Sequence, residues 1–173
     1  MEMNIREAYQ YLTKARAELF SALGKTDDST LSKCLLTDTD NKCIKDFLVH
    51  IACVEDGWLN EDILRRPSVF QATPALQLAS MEEGYGSLPL EEIIEYWKRV
   101  ESGTLAYLDS LTSEELDRTV SLHDEPERKY GLDGLLWHVV LHEIRHTAQI
   151  VLLLRLQGIK PPSLDLLFFL PAR

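Results

Sequence analysis

The stretch HVVLHEIRHTAQIVLLLRLQG, residues 138–158, sets three histidines four residues apart: His138, His142 and His146. Successive residues of an α-helix turn by about 100°, so positions four apart stack on one face, about one turn along the axis. That face also carries Leu135, Val139, Gln149 and Leu153, which marks it as facing inward. A buried neutral imidazole needs a partner for each ring nitrogen. Two or three of them stacked in a core are hard to satisfy without a metal ion, water or carboxylates. The same run contains HExxH at 142–146, the histidine pair and glutamate of many zinc proteases. The rest of the chain has to decide among a protease site, another metal site and a structural stack.

Outward from this helix, which spans about Leu132 to Gly158 with Pro161 and Pro162 beyond it, three more segments carry helical periodicity. The first runs from about Asn4 to Leu23 through Ile5, Tyr9, Leu12, Leu19 and Leu23, with Gly24 suited to its C-terminal cap. The second runs from about Asn41 to Arg65, capped by Thr39 or Asp40 and stopped by Pro67. Its inner stripe reads Ile44, Phe47, Ile51, Val54, Trp58 and Leu59. The third opens at Pro89, a good first-turn residue, and reaches about Ser110 through Ile93, Ile94, Trp97, Val100 and Leu108. Glu91 and Glu92 favour the positive end of its dipole. Thr112 to Glu115 fits a capping box for one further turn. RTVSL at 118–122 is the one weak strand candidate, and SLDLLFFL near the end is a short helix or a covering segment. The expected architecture is all-α: one domain over residues 1–173, a four-helix bundle with long connections. Tight helical hairpins use about 2–8 residues, so these longer links permit crossovers and crowd the bundle ends.

Size and charge narrow the function classes. A chain of 173 residues with 45% apolar and 27% charged residues is long enough for one sizeable core. Its net charge of −10 argues against nucleic acid or an anionic membrane as the main partner, since both need clustered Lys and Arg. The opening MEMNIREAYQ has no apolar signal region, and the longest apolar run, IVLLL, is cut by Arg155. Cys34, Cys43 and Cys53 are an odd number without metal-ligand spacing, as expected of reduced thiols in the cytoplasm. Cys43 and Cys53 read as small buried apolar residues.

A third ligand for the histidine pair is well placed. His50 lies on the stripe of Phe47, Val54 and Trp58, inward by periodicity, whereas His123 sits in the polar loop SLHDEPERKY. If the second and fourth helices pack side by side, His50 meets two of the other three. Three histidines leave open coordination positions, the pattern of a catalytic rather than a closed structural site. The protease reading fares worse. Only Asp165 offers an acidic ligand downstream of His146, no sheet is evident to hold an extended peptide, and HExxH is short enough to arise by chance. Glu143 then loses the general-base role and becomes an unassigned neighbour. Trp58 and Trp137 read as core aromatics.

With these residues in place the chain resembles the DinB/YfiT-like superfamily of metal-dependent four-helix bundles. The final motif there often reads HxxxHxxxHRGQ, and here it reads HVVLHEIRHTAQ. The resemblance places His142 and His146 on the ligand positions, Gln149 on the motif's glutamine, His138 on a commonly non-ligating histidine, and His50, in DFLVHIACVEDGWL, on the ligand of the second helix. Thr147-Ala148 departs from the usual Arg-Gly. What the resemblance implies is an up-down-down-up helix order, one divalent ion (zinc or nickel most often), a small-molecule substrate, and homodimers. Relatives include transferases that use low-molecular-weight thiols such as bacillithiol, mycothiol or glutathione. A thiol S-transferase is therefore the leading expectation. A metal-dependent hydrolase of a small molecule and a non-enzymatic, stress-related metal-binding bundle are the alternatives. Gln149 and His138, each one turn from a ligand, are candidates for orienting it or meeting substrate.

Overall fold

The long helices of the computed structural model, which describes residues 4–37, 39–81 and 84–170, begin in different ways. Asn4 starts α1 (Ile5–Leu23): its side chain accepts from the Glu7 amide at 3.0 Å, while the Glu7 carboxylate accepts from the Asn4 amide at 3.1 Å. A short α2 (Asp28–Leu31) follows, and then α3 (Ile44–Asp56). The cap of α3 is Cys43, not Thr39 or Asp40. The cause is Asp46, whose carboxylate accepts from the amides of Lys42 at 2.9 Å and Cys43 at 3.0 Å, and from Tyr85 at 2.8 Å across the fold. An acidic residue inside the first turn thus does the work expected of a residue before it. The helix widens into a π-helical stretch over Gly57–Ile63 and ends at Leu64. Arg65 then takes a positive φ of 55° before Pro67.

The connection after α3 is not bare loop. A 3-10 turn at Phe70–Ala72 and α4 (Pro74–Ser80), with proline in its first turn, occupy it. Buried Asp56 ties that turn down by accepting from the amides of Val69 and Phe70 at 3.0 and 2.8 Å. Next come α5 (Leu90–Ser110), with Pro89 at the N-cap position, and α6 (Ser113–Leu116), where Thr112 accepts from the Glu115 amide at 3.2 Å. RTVSL does form a strand, β1 (Thr119–Ser121), paired antiparallel with β2 (Lys129–Gly131) so that Val120 faces Tyr130. Finally α7 (Leu132–Leu156) runs to Gly158, whose φ of 76° is a conformation glycine adopts without strain, and the tail ends in a 3-10 turn at Leu166–Phe169.

The fold is mostly helical. Both α1 and α3 pack against α5 and α7. Near its start α1 reaches the end of α5, where Arg6 donates to the Leu108 carbonyl at 2.5 Å. The start of α3 reaches the start of α5, where buried Lys45 donates to the Leu88 carbonyl at 2.6 Å. Two apolar clusters fill the interior. One is built on Leu19, Leu48, Ile93, Trp97 and Ile150, the other on Tyr9, Leu12, Leu59, Leu132 and Leu136. Each such side chain contributes about 1.5–3 kcal/mol on leaving water. The expected stripes of α1 and α5 are buried, Ile94 excepted, which is half-buried. On α3 the stripe divides: Ile44, Phe47 and Ile51 are buried, whereas His50, Val54 and Trp58 lie along a half-exposed edge. That edge faces α7. No helix among the described residues is long and apolar enough to cross a membrane.

Candidate metal centre

The edge of α3 and one face of α7 bring three histidines together. His50, His142 and His146 each present a ring nitrogen within 4.8 Å of the other two. Their ring centroids lie 4.9 Å (His50–His142), 4.7 Å (His50–His146) and 4.3 Å (His142–His146) apart. The i,i+4 spacing on α7 supplies the pair, and the side-by-side packing of α3 supplies the third. His142 is buried, while His50 and His146 are half-buried, so the group is walled by protein on one side and open on the other. Phe47, one turn before His50, packs on His146 with centroids 5.8 Å apart.

Burial, with the neighbouring His146 and His50 rings, lowers the pKa of His142 to about 3. Burial and His146 lower that of His50 as well. Both rings are therefore neutral at physiological pH, the form that offers a lone pair to a metal. On His146, Nδ1 lies 2.5 Å from the Gln149 side-chain oxygen. An amide oxygen only accepts, so in this contact the ring donates from Nδ1. Gln149 itself is exposed rather than inward, and it reaches back to His146 from the helix surface. His138 stands outside the group: it is exposed, with its ring against Trp58 at 5.4 Å and against His142 at 5.8 Å. Trp58 and Trp137 are half-buried, and Trp58 meets His138 edge-on. His123 is exposed in its loop, where its amide donates to Asp62 at 2.7 Å.

Glu143 goes elsewhere. One residue on from His142, it points into the core, where Arg16 of α1 grips both its oxygens at 3.0 and 2.6 Å. The guanidinium also meets Glu101 at 2.6 Å and Glu55 at 3.5 Å, and lies over the Trp97 ring at 4.7 Å. Glu55 in turn accepts from Tyr9, from Thr104 at 2.6 Å and from Trp97 at 3.3 Å. Burial raises the Glu143 pKa against the opposing pull of Arg16. A carboxylate so engaged is not placed to take a proton beside the histidines. Sequence reasoning overlooked this network. Its signal was there, because Arg16 sits four residues after Leu12 and three before Leu19, and Glu55 sits four after Ile51.

A family model described as "DinB family" matches residues 1–173. The chain belongs to the DinB family. Among solved structures it is similar to a conserved protein from Enterococcus faecalis, with a TM-score of 0.69 and 13% identity over 90% of this chain and 98% of that one. At that identity the likeness speaks for the fold. A comparison with curated proteins returns no match. DinB-like proteins bind metal, and the histidine cluster of this DinB-family chain fits a divalent ion on its own chemistry. Three imidazole rings from two helices form a donor set suited to a divalent first-row metal, with coordination positions to spare.

Proposed function

We propose that this chain is a metal-dependent enzyme acting on a small molecule in the cytoplasm, with His50, His142 and His146 as ligands of one zinc or nickel ion. The observation that carries the reading is the convergence of their three ring nitrogens within 4.8 Å. A divalent ion there would supply Lewis acidity, lowering the pKa of whichever thiol or water takes an open position. The chain's own part is to hold that ion with two helices and to fix the His146 tautomer through Gln149. We favour thiol S-transfer with a low-molecular-weight thiol over hydrolysis. The acidic residue of HExxH is spent on Arg16, and no carboxylate or thiol joins the histidine group among the described residues. A thiol gives up its proton far more readily than water and needs a nearby base less.

We further read the helix directions as up-down-down-up, a reading supported by the Arg6–Leu108 and Lys45–Leu88 bonds and by the long connections. A homodimer would cover the apolar residues that α7 leaves exposed, Leu141, Leu152 and Leu156. Metal analysis of protein purified without an affinity tag tests the reading. The expected result is about one divalent ion per chain, lost in His50→Ala. A wild-type chain that carries no metal and cannot be loaded overturns it. With metal present, turnover of an electrophile only when a thiol is added supports S-transfer. Turnover without thiol makes the chain a hydrolase, and no turnover makes it a passive binder.

A further inference from the structure

One cavity among the described residues lies away from the histidines. It opens on another side of α7, between α1, α7 and the C-terminal tail, with a volume of about 590 Å³. Such volumes suit small organic ligands, whose sites are mostly apolar with a few placed polar groups. Its walls are mixed, and their apolar part is buried Leu12 and Leu19 from α1, half-buried Val151 from α7 and Leu164 from the tail. The tail is fastened there, because Tyr11 donates to the Leu164 carbonyl at 2.5 Å and stacks edge-on with Phe169. At the floor Arg16 and Glu143 are engaged with each other by two hydrogen bonds. The lining charges that remain are two cations, Arg155 and Lys160, and one carboxylate, Asp165. Arg155 and Lys160 make no ion pair among the described residues. In a chain of net charge −10, a slot with an apolar wall and two exposed cations at its edge, neither of them ion-paired among the described residues, is complementary to one kind of ligand.

We propose that this cavity binds an amphipathic carboxylate, its anionic group between Arg155 and Lys160 and its hydrocarbon body against Leu12, Leu19, Val151 and Leu164. The site is separate from the histidine cluster and does not depend on a metal there. Octanoate is the probe, titrated into the full-length chain by calorimetry, with octanol and acetate supplying the body alone and the charge alone. Octanoate binds, and each partial probe binds at least about tenfold more weakly, since each forgoes one of the two contacts. In the double variant Arg155→Ala, Lys160→Ala, which alters exposed side chains and leaves the core intact, octanoate affinity falls about tenfold or more. Val151→Trp fills the slot and abolishes binding. Metal loading in the double variant stays at the wild-type level, so failure of this site and failure of the metal reading are told apart. Absence of octanoate binding to the wild type, octanol binding as well as octanoate, or wild-type affinity in the double variant overturns the proposal.

Discussion

Two neighbouring residues of one motif, His142 and Glu143, belong to different regions of the molecule. His142 turns toward α3, where it meets His50 and His146 at a half-open edge. Glu143, about 100° further around the same helix, turns toward α1 and closes a buried ion-pair network on Arg16. The first region gathers like groups that no protein partner satisfies fully, and it asks for an ion. The second gathers opposite charges that hydrogen-bond to one another. A sequence motif fixes spacing, but the neighbouring helices assign the chemistry.

The sharpest way to break this contrast is to remove Arg16. Arg16→Leu leaves Glu143 and Glu55 buried without their cation and should cost about 3–5 kcal/mol, read by urea denaturation. A loss below about 1 kcal/mol would show that the network is not the structural half of the pair. Next comes His142→Ala, which should abolish stoichiometric metal binding while costing the metal-free chain less stability than Arg16→Leu. The reverse ranking would exchange the two roles. Gln149→Ala tests the support of His146 from the helix surface. Metal affinity should fall about 10–100-fold, with the unfolding midpoint of the metal-free chain unmoved. The last test is the effect of pH on the metal-free chain. His142 has a folded pKa of about 3 against an ordinary 6.5. The unfolded chain therefore takes up that proton first, and stability declines as pH falls from 6.5 toward 3. His142→Ala should flatten part of this slope in denaturation curves recorded across that range.

The long helices were legible because their apolar residues recur at helical spacing and their boundary signals are local: Pro67 and Gly158 as stops, Pro89 as a start. The histidine cluster was legible for a related reason, since two of its members share one helix face and the third stands on another inward stripe. What escaped reading depends on contacts distant in sequence. Cys43 caps α3 because Asp46 also holds Tyr85, a residue nearly forty positions away. The β-hairpin is only three residues on each side, too short for alternation to show. The Arg16 network needs α1, α3, α5 and α7 assembled before any of its pairs can be named. Gln149 was placed on an inward face by periodicity, yet it is exposed, with its side chain reaching back to His146, while Leu153 one turn further is buried.

The Arg16–Glu143 pair also bears on how the chain is made. It joins the first long helix to the last, and during synthesis Arg16 emerges long before Glu143 exists. Until then α1 has α3 and α5 to lean on but not the carboxylate that grips its guanidinium with two bonds. Contacts between such distant segments slow folding, because a long loop must close before they form. Until α7 is made, Arg16 therefore has Glu55 and Glu101 as partners, and the core keeps the place of α7 unfilled.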